Sequence, residues 1–256
     1  MSHHIVQAKR LSFAYPDGTV GLRDISFLIT HGEKVALVGA NGAGKSTLLL
    51  HLNGSLLPAE GTVRVGDASL TKKTLKAVRR SVGMVFQNPD DQLFMPTVMD
   101  DVMFGPLNLD MTEAEARQKA EEALTTVGAL SLADRPPYKL SGGEKRAVSI
   151  ASVIAMSPSI LVMDEPTANL DAKSRRAVIA LLQSFDHTKI IATHDLDLAL
   201  DVCDRAIVLK EGTVAADGPI ARLFTDDALL EACHLERPLR MQACPVCGPV
   251  RKEEGC

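Results

Sequence analysis

The stretch Val35-Ala36-Leu37-Val38-Gly39-Ala40-Asn41-Gly42-Ala43-Gly44-Lys45-Ser46 decides the fold. Its four leading apolar residues suit a strand buried on both faces, as in a parallel sheet. Gly39 to Ser46 match the spacing G-x-x-x-x-G-K-[ST], and Ser46–Leu52 reads as a helix. Strand, glycine loop and helix in this order form a phosphate cradle. The glycines let backbone N–H groups approach phosphate oxygens, and the helix N-terminus adds positive potential. In such a loop Lys45 reaches the β and γ phosphates, the Ser46 hydroxyl coordinates Mg²⁺, and Thr47 continues the same turn.

A second phosphate-binding sequence lies almost a hundred residues on, at Leu140-Ser141-Gly142-Gly143-Glu144. Ser141 and Glu144 have the spacing of a capping box, and the two glycines between them expose helix N-terminal amides. One nucleotide site needs only the first loop. Two loops are explained if two copies of the chain face each other and each supplies half of a shared site.

Working outward, short strands are expected at Leu11–Tyr15 and Ile25–Ile29, parted by Pro16-Asp17-Gly18, and at Thr62–Val65 and Val82–Phe86. From Asn88 to Met156 the apolar residues recur at helical spacing. Thr112 and Glu115 form a capping box there, with Ala116, Ala120, Ala123, Leu124 and Val127 on one face and Gly128 at the end. Strand–helix alternation resumes with Ile160–Met163, a helix over Ser174–Gln183, Lys189–Ala192, a helix near Leu196–Val202, and Ala206–Leu209. This implies an α/β core with a mainly parallel sheet and a helical insertion. The last thirty or so residues, with Pro238, Pro245 and Pro249, read as a helix and a loose tail.

Several further residues stand where α/β sheets bind ligands, at the C-terminal ends of strands. Asp164 and Glu165 end an apolar strand; Asp164 suits Mg²⁺ and Glu165 suits a general base for attacking water. Gln87 ends its strand where the helical insertion begins, placed to touch Mg²⁺ or the water. His194 follows Lys189–Ala192 and is placed to contact a γ-phosphate. Tyr15 offers a ring to stack on adenine.

Taken together, Phe13-Ala14-Tyr15, Gly39–Ser46, Gln87, Leu140–Glu144, Ile160–Glu165, Ala168-Asn169-Leu170-Asp171 and Thr193-His194-Asp195 resemble the motifs of ATP-binding-cassette ATPases, in the same order. The resemblance covers about residues 5–225. It implies a P-loop NTPase (RecA-like) core, about 1–87 and 157–225, with an antiparallel β subdomain and an inserted α-helical subdomain at about 88–156. Residues 226–256 form a C-terminal helix and tail. It also implies a head-to-tail dimer holding two ATPs between the Lys45 loop of one copy and the Ser141 loop of the other, with Asp171 at the seam. A narrower likeness, in Phe13–Gly18, Val85–Phe94 and Asp101–Pro106, is to the cobalt/nickel branch of energy-coupling-factor transporters. It implies an importer's ATPase on the cytoplasmic face of the membrane, with the segment after Gln87 against a membrane subunit that works beside a substrate-binding subunit. Asp90 and Leu93 are the expected coupling positions. Glu144 replaces the family's usual Gln, and Asn169 stands where Gly is common. Import of another substrate, and a soluble cassette ATPase outside transport, stay open as alternatives.

Bulk properties narrow the classes. A net charge of −4 argues against a nucleic-acid partner, since such proteins carry a basic excess. The uncharged run Ala147–Met163 falls short of a membrane span and is divided by Pro158. No signal peptide is visible at Met1-Ser2-His3-His4. Three of five cysteines lie in the last thirteen residues, so no disulfide framework is expected. Lys72, Lys73, Lys76, Arg79 and Arg80 read as one solvated helix face, and Asp197, Asp201 and Asp204 as an exposed acidic one. Cys244-Pro245-Val246-Cys247 supplies two of the four ligands that a zinc site needs.

Overall fold

The computed structural model describes residues 6–242. Strands β1 (Val6–Ala14) and β2 (Val20–Ile29) pair antiparallel, and β3 (Lys34–Val38) runs through the glycine loop into helix α1 (Lys45–Leu52). Strands β4 (Glu60–Val65) and β5 (Ala68–Ser69) complete a four-stranded antiparallel sheet ordered β2-β1-β4-β5. Helix α2 (Leu75–Ser81) leads into β6 (Val82–Val85). Three helices follow, α3 (Val98–Asn108), α4 (Glu113–Thr126) and α5 (Gly142–Ile154). The chain then alternates through β7 (Ile160–Asp164), α6 (Ala172–Ser184), β8 (Thr188–Thr193), α7 (Leu196–Val202), β9 (Arg205–Lys210) and β10 (Thr213–Pro219), and ends in the short helices α8 (Ile220–Leu223) and α9 (Asp227–Ala232). The second sheet is ordered β10-β9-β3-β8-β7-β6, parallel except at the β10 edge.

The strand β3 explains why the two sheets stack. Val35 and Leu37 point into an apolar layer shared with α1 and the antiparallel sheet, while Ala36 and Val38 point into a second layer beneath α5, α6 and α7. All four are buried, so the run has no polar face to show water. A third apolar cluster is built by α3, α4 and α5 around Val98, Val102, Ala116, Ala120, Leu124 and Val148. The Thr112–Glu115 capping box forms with both of its hydrogen bonds, and Gly128 ends that helix at φ 70°.

Four expectations are corrected. Strands β1 and β2 are longer than the apolar runs predicted, because register shifts near Leu11 and Phe13 carry pairing past the polar residues. Strand β10 went unread: its alternating half-buried and exposed residues, with Gly218 and Pro219, lack an apolar signal and fit a sheet edge. Lys72 and Lys73 precede α2, so they do not share its face with Lys76, Arg79 and Arg80.

The acidic face on α7 is also not merely solvated. Leu239 N donates to Asp197 Oδ2 at 2.7 Å, Arg240 Nε to Asp197 Oδ1 at 2.9 Å, and Arg240 Nη2 to Asp201 Oδ1 at 2.7 Å. Burial raises the Asp197 pKa, but the donors of Leu239 and Arg240 outweigh it and hold the carboxyl low. A carboxyl depressed in the fold stabilises it above about pH 4 and loses that contribution as pH falls through the lower folded value. Asp204 lies beyond the helix and is exposed. The Cys244–Cys247 pair lies outside the described residues, as do Cys256 and the rest of the tail. Among the described residues no helix is long and apolar enough to cross a membrane.

Two outcomes are expected. A Cβ at Gly83 would lie 2.4 Å from Val153 and 2.7 Å from Pro158; Gly83→Ala therefore lowers unfolding free energy by about 1–3 kcal/mol in urea titrations. Arg240→Ala releases the segment after Pro238, so hydrogen exchange at the Leu239 amide rises at least ~10-fold at neutral pH while the α7 amides keep their protection.

Candidate functional site

The parallel strands β3, β7 and β8 are paired in register, Val38 opposite Thr193 and Asp164 opposite Ala192. Their C-terminal ends therefore bring the glycine loop, the acidic pair and His194 to one edge of the sheet. The loop that leaves β3 is built by its glycines. A Cβ at Gly39 would lie 2.5 Å from the Leu209 carbonyl oxygen, and one at Gly44, where φ is 101°, would lie 2.7 Å from that of Gly21. Lys45 donates from Nζ to the carbonyls of Gly39 at 2.7 Å and Ala40 at 3.1 Å, spanning Asn41, Gly42 and Ala43. No side chain caps α1, which leaves its first amides to another acceptor. Burial lowers the Lys45 pKa, opposed by the charges of Glu165 and Asp164.

Asp164 is buried; burial pushes its carboxyl up, opposed by the Ser46 hydroxyl, Lys45 and Arg146 and reinforced by Glu165. A hydroxyl and a buried carboxylate beside a lysine are the hard oxygen donors that Mg²⁺ takes, so the residues fit that ion. Glu165 sits at φ 45°, a left-handed backbone that non-glycine residues seldom adopt. Its amide donates to Ala192 O at 2.9 Å, which fixes the residue against β8. Its carboxylate accepts from Thr193 Oγ1 at 2.9 Å, from His194 N at 3.0 Å, and lies 2.7 Å from His194 Nδ1. The histidine ring is mostly solvent-exposed while Glu165 is buried. The pair thus joins a fixed carboxylate to an imidazole whose outer face is open.

Tyr15 bonds Thr47 Oγ1 through its hydroxyl at 2.8 Å and meets Phe13 edge-on at 5.1 Å. It stays half-buried beside the first turn of α1. Gln87 is exposed just past β6, and its backbone is held from the other side of the sheet. Arg146 of α5, buried to 1% exposure, donates to Phe86 O at 2.7 Å and Gln87 O at 2.5 Å. Gln92 Nε2 donates to Ser149 O of α5 at 2.7 Å and to Ser152 Oγ at 2.9 Å, and its Oε1 accepts from Phe86 N at 3.1 Å. Neither Arg146 nor Gln92 was singled out by the sequence; the available signal was a cation one residue ahead of a long uncharged run.

The second loop is elsewhere. Ser141 caps α5, accepting from Glu144 N at 3.4 Å, while Glu144 Oε2 accepts from Ser141 N at 2.7 Å. The acid in place of the usual amide is used here as a capping group. A Cβ at Gly143 would lie 2.3 Å from Ser174 Oγ, so only glycine lets α5 start against α6. Ser174 Oγ donates to Asp171 Oδ2 at 2.6 Å, and Asp171 caps α6 through the amides of Lys173 and Ser174. Ser141, Gly143 and Asp171 line one cavity, and Lys45, Ser46, Glu165 and His194 do not line it. Gly142 has open space around it. Asn169 takes φ 60°, the left-handed conformation that makes glycine common there. The structure therefore groups Lys45, Ser46, Asp164, Glu165 and His194 at one edge and leaves Ser141–Gly143 with Asp171 as a separate half.

Comparison with known proteins agrees with this geometry. The profile of the ABC transporter family matches residues 22–168. A protein of Geobacter sulfurreducens, provisionally named an ABC transporter ATP-binding protein, is 62% identical over 97% of this chain and all of its own length. The energy-coupling factor transporter ATP-binding protein EcfA of Methanocaldococcus jannaschii is 44% identical over 92% of this chain and 86% of its own. The structure of cbiO1 from Clostridium perfringens, part of the ABC transporter complex cbiONQ, superposes with a TM-score of 0.78 at 38% identity, covering 90% of this chain and 94% of that one. The ATP-binding cassette MJ0796, a dimer bound to ADP and Pi, superposes at 0.76 and 29% identity over 84% of this chain and 98% of its own. The chain belongs to the ABC transporter family, as an ATPase subunit of the energy-coupling-factor type.

Proposed function

We propose that this chain powers an importer for cobalt or nickel ions, acting as a head-to-tail pair on the cytoplasmic side of a membrane complex. The observation that carries the catalytic part is the Glu165 carboxylate, held by Thr193 and His194 at the edge that bears the Lys45 loop. In this reading the amides from Gly39 to Thr47 and the Lys45 ammonium bind the ATP phosphates, and Tyr15 stacks on adenine. Ser46, Gln87 and Asp164 hold Mg²⁺, which when bound offsets the negative charge of the phosphates. Glu165 takes a proton from the attacking water as general base, and the open face of His194 meets the γ-phosphate. Ser141, Gly142, Gly143 and Asp171 of a second copy close the other side. The dimeric state of MJ0796 supports the pairing, and the cbiONQ membership of cbiO1 supports the metal assignment. Import of another substrate would use the same ATPase with a different membrane partner.

In this reading the chain divides into a core at about 1–87 and 157–225, a helical part at about 88–156, and a tail from 226. Arg146 and Gln92 join the core to the helical part at Gln87. The face beyond Gln87 is where the membrane subunit docks. Leu93 is buried in the helical cluster, which makes it an unsuitable probe of docking, whereas its neighbour Phe94 is 64% exposed.

Glu165→Gln should retain ATP and accumulate a dimer while hydrolysis falls at least ~10²-fold; turnover close to that of the parent chain refutes the assignment. Phe94→Ala, alone or with Asp90→Ala, should leave the ATPase rate of the isolated chain within about twofold and lower uptake by the assembled complex at least ~10-fold. Transport at the parent rate would remove the docking face from this surface.

A further inference from the structure

The segment Lys72–Arg80 holds five cations and no carboxylate, in a chain whose net charge is −4. Lys72, Lys73, Lys76 and Arg79 line a cavity of about 810 Å³ that Phe94 and Phe104 also line. The backbone under the cations is anchored: Val78 is buried, and Leu75 packs on the same apolar layer. The cations themselves are exposed. Lys72 and Lys73 have no ion pair or hydrogen bond among the described residues. Lys76 meets Asp110 at 2.7 Å, a pair with both partners more than 70% exposed and therefore weak. Arg79 donates to Gly54 O at 3.3 Å.

The acids nearby do not cancel this charge. Asp101 is buried, and its Oδ1 accepts the Phe94 and Met95 amides. Asp110 is engaged by Lys76. Asp91 is the remaining exposed carboxylate on the cavity wall. Long, flexible cations with no protein partner match the chemistry of an anionic bilayer surface, where ammonium groups reach phosphate. A nucleic acid would need a broader basic footprint than one segment of an acidic protein.

We infer that Lys72 and Lys73 contact the phosphate headgroups of anionic phospholipids in the leaflet beside the docking face. This inference rests on the reading of that face as the one turned to the membrane. Each cation near an anionic surface adds on the order of fivefold to partitioning, so two add roughly 25-fold. That is too weak to anchor the chain alone and enough to set its tilt once a membrane subunit is engaged. Salt screens such contacts, which separates them from apolar insertion.

The test uses the full chain with no membrane subunit present. It is sedimented with vesicles of phosphatidylcholine alone, or of phosphatidylcholine with phosphatidylglycerol, at low and high NaCl. Binding at least ~10-fold stronger to the anionic vesicles, lost at high salt, supports the assignment. The K72Q/K73Q double variant should lose at least ~10-fold of it with an unchanged circular dichroism spectrum and melting temperature, because both side chains are exposed. Equal binding to both vesicle types, or unchanged binding by the variant, overturns it. Retention on polyglutamate without vesicle binding also overturns it and assigns the patch to an acidic protein surface. Any of these failures leaves the coupling assignment standing, since that is judged separately by Phe94→Ala in the assembled complex.

Discussion

The Glu165 carboxylate is the point on which the rest of the structure converges. It is buried and it accepts from Thr193 at the end of β8 and from His194 just beyond it, while its own amide is tied to Ala192. Those bonds are possible because β7 and β8 are parallel and in register, and because residue 165 accepts a left-handed backbone. Strain of this kind persists only where surrounding structure fixes it. Here the fixing comes from two strands that are buried along their whole length.

The same constraint explains the placement of Lys45 and Asp164. A parallel sheet puts all its strand ends on one side, so a loop after β3 and an acid at the end of β7 meet without any contact between them in sequence. Each charge then alters its neighbours. Burial weakens the charged forms of Lys45 and Asp164, and their mutual attraction restores part of that loss. An arrangement of opposed buried charges around a hydroxyl is suited to receiving a highly charged ligand.

Mechanical connection is carried by different atoms from those that carry chemistry. Arg146 leaves the helical cluster to hold the carbonyls of Phe86 and Gln87, and Gln92 returns from the loop to α5. The N-terminus of α5 rests on α6 through the absent side chain of Gly143, and Ser174 passes that contact to Asp171. The Ser141 loop is thus tied to α6 and Asp171 through packing, in a cavity that the Lys45 loop does not line.

The sequence by itself determined the glycine loop, the capping boxes at Thr112 and Ser141, the buried strand Val35–Val38 and the alternation that makes the sheet parallel. These are local features: a spacing, a periodicity or a cap is complete within about ten residues. It also placed Glu165 and His194 at strand ends. The tertiary structure alone decided that the Glu165 carboxylate is gripped by Thr193 and His194, that Arg146 turns inward to Gln87, and that Asp197 and Asp201 hold Arg240 instead of facing water. Each of those bonds joins residues between about 28 and 60 positions apart. No periodicity reports such a pairing, because it exists only after apolar burial has fixed the order of the strands.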